Sequence, residues 1–201
     1  MRSRISALSM ASLMSLAMYF NACKSTGRVS DVSAESSGAG SPLERFYLKN
    51  RVIEVEISSK NWERLKNQDP KGGRCTFGFL GSRYDWFQFE EMKIDGVTFK
   101  DVGGKKKSWC GSESKVKPSI NISFDKFNAA NKGKAVQAFG TDALILNNSL
   151  QDPSYIRQCF SYRMFDRAGV PSPLCNFAHL KVNGRDMGLF VNLQPLGKPF
   201  F

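Results

Sequence analysis

The residues able to do chemistry are few: one histidine and five cysteines among 201 residues. His179 is the sole imidazole, so a His-rich metal centre or a relay with a spare general base is excluded. No Gly-x-Ser-x-Gly turn is present, and His179 lies in an apparent strand without an obvious nucleophile, which makes a hydrolase the least favoured class. No Cys-x-x-Cys spacing exists, so zinc is disfavoured and no metal site is assigned. If Cys23 is set aside as a lipid carrier, Cys75, Cys110, Cys159 and Cys175 remain, an even number that favours disulfides in an exported chain. Of the three pairings, Cys75 with Cys110 and Cys159 with Cys175 is preferred because each encloses a compact unit, but spacing alone leaves the others open.

Charge is the second signal. The formal net charge is +11, and 41% of residues are hydrophobic, enough for a core and too many for a wholly disordered chain. From Lys100 to Lys117 there are six lysines against Asp101 and Glu113. Such a run suits an anionic partner, or is simply a solvated basic hairpin. Nucleic acid is compatible with the charge, but export argues against it.

Export is read from the first segment. Arg2 and Arg4 precede an apolar run from Ile5 to Phe20 that is short for a membrane span, and Phe20-Asn21-Ala22-Cys23 resembles the lipobox of bacterial lipoproteins. The expectation is a signal peptide over 1–22, acylation of Cys23, and a flexible tether over 23–44 rich in Ser, Gly and Ala. The domain then spans 45–201. Its location is expected to be the bacterial cell envelope, membrane-anchored, facing the periplasm or the exterior.

The elements that must position these residues follow from periodicity. Ile53, Val55 and Ile57 alternate with acids as a half-buried strand, and Ser58 to Asn67 suits a short helix. Trp86–Ile94 and Val97–Val102 flank Asp95-Gly96, a strong hairpin signal. Ile120–Phe124 and Ala143–Leu146 read as strands. The longest helix is expected to begin at Asp152-Pro153, carry Ile156, Cys159, Phe160 and Met164, and close at Gly169. A second hairpin turns at Asn183-Gly184. This order predicts an α+β fold, mostly antiparallel sheet with one main helix, as in the smaller lobe of a protein-kinase-like fold.

Five ordered stretches carry a resemblance: Met92 to Phe99, Lys117 to Phe127, Leu146 to Ser154, Ala168 to Pro173, and Val182 to Phe190. In these the chain resembles the spore-coat CotH kinase family, whose members are similar to secretory-pathway kinases that move phosphate from ATP to serine on partner proteins. The resemblance implies ATP and Mg as cofactors and a protein substrate as partner. It makes Lys105, Lys106, Lys117 and Arg157 candidate nucleotide contacts, with Lys117 foremost, and Gly103-Gly104 a place for backbone amides to approach phosphate. Asp152 is first of all a helix cap, and Arg157 suits either Asp152 or a phosphate.

Departures from the family pattern accompany the match. Gln194 stands where Glu is common and Lys105 where Arg is common. No His-Arg-Asp or Asp-Phe-Gly triplet is present, and no catalytic residue is assigned. The expectation is therefore an N-terminal portion lacking its catalytic lobe, inactive as a kinase alone and in need of that lobe as a partner. The alternative is a non-catalytic surface lipoprotein that binds an anionic envelope partner.

Overall fold

Seven strands close on themselves. The computed structural model describes residues 40–77 and 82–197. The expected signal peptide, Cys23 and most of the expected tether lie outside the described residues. The strands are β1 (Arg51–Glu56), β2 (Trp86–Ile94), β3 (Val97–Lys107), β4 (Ser119–Ser123), β5 (Ala143–Asn147), β6 (Cys175–Val182) and β7 (Arg185–Leu193). They run round the barrel as β1-β2-β3-β4-β5-β7-β6, and β6 returns to β1 as the one parallel pair. Among the described residues four short helices accompany them: α1 (Pro42–Tyr47), α2 (Ser59–Asn67), α3 (Asn131–Phe139) and α4 (Arg157–Arg167).

This corrects the α+β expectation. The sheet is a closed barrel rather than the open sheet of a kinase small lobe, and among the described residues no helix dominates: α2 and α3 have 9 residues and α4 has 11. The long helix expected from Asp152-Pro153 is shortened because Tyr155 takes φ 62°, which breaks the right-handed path. Asp152 still caps α4 from a distance, its carboxylate accepting the Arg157 N–H at 3.0 Å.

The barrel interior follows from alternation. Ile53, Val55, Met92, Ile94, Val102, Ile120, Ile122, Leu144, Leu146, Leu180 and Phe190 are all buried in one cluster. Facing side chains from every strand exclude water, so closure leaves no unpaired edge to manage. Phe139 of α3 packs on Phe46 of α1 (centroids 4.9 Å) and on Phe99 of β3 (5.8 Å), tying both helices to the barrel. The start of α1 is a capping box between Ser41 and Glu44, so the expected tether boundary at residue 44 falls inside a helix. Gly140 ends α3 at φ 72°, and any side chain there would overlap Leu43 of α1.

β3 is the strand that matters for the site. It continues five residues beyond the expected end at Val102, through Gly103-Gly104 and the three lysines, paired with β2 on one side and β4 on the other. The two glycines are therefore committed to the sheet ladder and not to a phosphate cradle. A Cβ on Gly104 would overlap the Phe89 ring, so the missing side chain is used for core packing.

Candidate functional site

Period-two geometry sends the three lysines of β3 to different places. Lys106 shares the inward face with Val102 and Gly104. It is 2% exposed, and its ammonium donates to Lys66 O and Gln68 O, each at 3.0 Å. These are carbonyls of the last turn and end of α2, so Lys106 serves as a C-terminal helix cap. Burial lowers its pKa, with Glu113 and Asp69 offsetting part of that effect. Lys106 is thus committed to the end of α2.

Lys105 and Lys107 face outward. Lys105 donates to Ser82 Oγ at 3.1 Å and lies 4.6 Å from the Trp86 ring centroid. Lys107 sits opposite Ser119 of β4, and Ser119 Oγ in turn donates to Asn147 Oδ1 of β5. This polar row forms the floor of a cleft of about 540 Å³. One wall is α4, through Arg157, Gln158, Ser161 and Tyr162; another is the turn at Ser108, Trp109 and Ser112; the loop from Asn148 to Asp152 completes it.

Disulfides hold both walls. Cys75–Cys110 (Cα–Cα 5.0 Å) fixes the Trp109 turn, and Cys159–Cys175 (Cα–Cα 5.2 Å) pins α4 to β6, so the preferred pairing is the one formed. The Trp109 ring is further held by the Arg83 guanidinium, 4.4 Å from its centroid. Across the cleft, Asn148 Nδ2 donates to Lys117 O at 2.8 Å, and Gln151 Nε2 donates to Cys110 O at 3.1 Å. These amide hydrogen bonds occupy two of the four Asn and Gln side chains of the lining, and Asn147 Nδ2 donates to Gln158 Oε1 at 2.9 Å.

Two cations are left for a ligand. Burial alone pushes the Lys107 pKa below the ordinary lysine value, and among the described residues its ammonium has no hydrogen-bond or ion-pair partner. Arg157 is 74% exposed and meets Asp152 only at 3.5 Å. Asp152, the carboxylate of the lining, is occupied by Ser154 and by the Arg157 amide, and these bonds hold its pKa down, Ser154 foremost. A half-buried cation without a counter-charge is costly, and an anion in the cleft relieves that cost.

Lys117, the foremost expected phosphate contact, is placed elsewhere. Its ammonium donates to Tyr155 OH at 2.9 Å and Leu189 O at 2.5 Å, and lies over the Phe190 ring at 4.7 Å. It lines a second cleft of about 320 Å³ on the far side of the Asn148–Leu150 segment. The structure therefore brings Arg157 together with Lys107, and separates both from Lys106 and Lys117. His179 forms an exposed pair with Asp186, 2.5 Å apart, and lines neither cleft. Among the described residues, no three His, Cys, Asp or Glu side chains are grouped to hold a metal.

Sequence reasoning singled out Arg157 and the lysine run but passed over Lys107, Ser119, Gln158 and Ser161. The available signal was alternation: once β3 runs to Lys107, residues 105 and 107 must share a face opposite to 106. On α4, Ser161 lies four residues after Arg157 and three after Gln158, so it shares a side with both.

Two comparisons bear on this site. The family model for CotH kinase protein matches residues 106–200, a stretch that contains the cleft's lysine, its polar floor and all of α4. An inner spore coat protein H-like protein of Bacillus subtilis (strain 168) is 34% identical over 85 residues, which cover 41% of this chain. That match spans 24% of the relative, so the chain corresponds to about a quarter of its length. Over residues 106–200, which build β4 to β7, α4 and the cleft between them, the chain is similar to the CotH kinase family.

Proposed function

We propose that the cleft under α4 binds the phosphates of a nucleotide, ATP by family likeness, with Lys107 and Arg157 as the phosphate contacts. The observation that carries this reading is the half-buried Lys107 ammonium, which has no partner among the described residues. Arg157 faces the same space, and hydroxyls of Ser119 and Ser161 line it. A phosphate between two cations would gain charge-assisted bonds of about 1.5–3 kcal/mol each.

Phosphoryl transfer also needs acids that hold magnesium and a group that positions the nucleophile. Asp152, the cleft's carboxylate, already caps α4. On this reading residues 40–197 hold phosphate, and transfer to a serine of a protein substrate requires acids from elsewhere. The two disulfides support a further part of the proposal, an oxidising compartment; an envelope location with a lipid on Cys23 is supported by the leader sequence alone.

The test is thermal unfolding with and without Mg-ATP. Protection should appear in the parent chain, vanish in Lys107→Ala and Arg157→Ala, and persist in Lys105→Ala. Salt-sensitive binding of a polyanion with no ATP protection would replace this reading with that of an envelope-binding lipoprotein.

A further inference from the structure

Helix α4 is unusually bare. Eight of its eleven residues are exposed, and it meets the barrel chiefly through Cys159, Tyr162 and the disulfide to β6. Its outward side is nonetheless apolar: Phe160 is 63% exposed, Met164 50%, Phe165 52%, and the preceding Ile156 58%. Ile156, Phe160 and Met164 follow one another at four-residue steps, so they form one stripe along the helix. A contiguous stripe of this kind on a folded domain marks an interaction surface.

The charges around the stripe say what covers it. Beyond the cleft-facing Arg157, Arg163 and Arg167 lie on the same helix, against the single acid Asp166. No lysine occurs between Lys134 and Lys181, although lysine outnumbers arginine in the chain as a whole. Phe, Met and Arg enriched together with Lys depleted is the composition of a protein–protein contact. A lipid-facing basic helix has no reason to exclude lysine.

We propose that the exposed face of α4 is a docking surface for an acidic polypeptide segment carrying apolar anchors. The stripe supplies the seat for the anchors, and the arginines pair with flanking carboxylates through planar, bidentate geometry. The proposal rests on α4 alone and does not depend on what occupies the cleft.

Fluorescence anisotropy of the 201-residue chain with two synthetic amphipathic helical peptides tests it. Both carry Leu at helical spacing, one flanked by Glu and the other by Lys. The Glu peptide should bind, and binding should weaken about tenfold or more in Phe160→Ser with Met164→Ser, and likewise in Arg163→Glu with Arg167→Glu. Lys107→Ala, which removes the cleft's contact, should leave it unchanged. These side chains are exposed, so the variants should keep the parent circular dichroism. Equal binding of the Lys peptide, or no loss in the variants, overturns the proposal. So does phosphatidylglycerol-vesicle binding or self-association that the Phe160→Ser, Met164→Ser variant abolishes while the Glu peptide fails to bind.

Discussion

Replacing Lys106 by methionine separates a structural lysine from its neighbours on the same strand. The side-chain volume is nearly kept, so the barrel needs no repacking. What is lost is a buried ammonium that donates to Lys66 O and Gln68 O at the end of α2. Bonds from a charged donor contribute about 1.5–3 kcal/mol each, and the relief of desolvating that charge offsets part of the pair. The net expectation is a loss of about 2 kcal/mol, or a fall in Tm of about 4–8 °C for a domain of this size. Lys107→Met should behave oppositely, neutral or slightly stabilising, because it removes a half-buried cation that has no partner among the described residues. Urea unfolding followed by circular dichroism measures both. Equal losses, or a larger loss at Lys107, would refute the assignment of Lys106 to the inside of the barrel and Lys107 to the outside.

Gly104→Ala should cost about 3 kcal/mol or more or prevent folding, since the new methyl overlaps the Phe89 ring, and expression with thermal unfolding reads this directly. Replacing Cys159 and Cys175 together by serine opens a link across 16 residues and should cost about 3 kcal/mol in urea, with hydrogen exchange rising first in α4. Burial lowers the pKa of Lys105, Lys106 and Lys107 from the ordinary 10.5. The folded chain therefore binds fewer protons than the unfolded one just below that value, and stability should rise with pH between the lowered values and 10.5. Lys107→Met should make that alkaline rise shallower in a series of urea midpoints.

Strands were legible where one face is apolar. Ile53 and Val55, Ile120 and Ile122, and the Asp95-Gly96 and Asn183-Gly184 turns all lie where alternation and turn chemistry put them. Barrel closure was not legible, because the parallel β1–β6 contact joins residues some 127 positions apart and leaves no local mark. The end of β3 was obscured by its lysines, which read as a solvated basic hairpin although Lys106 is buried by finding carbonyls. Helix α3 has no side-chain cap and carries Gly133 within it, so its start gave no signal. At the site, the disulfide pairing preferred from spacing is the one formed, and Arg157, singled out by resemblance, lines the cleft. The roles of Lys106 and Lys117 could not, since both are decided by distant carbonyls and a tyrosine.

The claim that the cleft under α4 holds nucleotide phosphate is tested most directly by covalent mapping. An acyl-phosphate derivative of ATP transfers its acyl group to a lysine amine lying against the phosphates, and peptide mass spectrometry locates it. The account predicts acylation concentrated on Lys107, suppressed by excess ATP and diminished in Arg157→Ala. Acylation spread over exposed lysines and indifferent to ATP, or concentrated on Lys117, would contradict it.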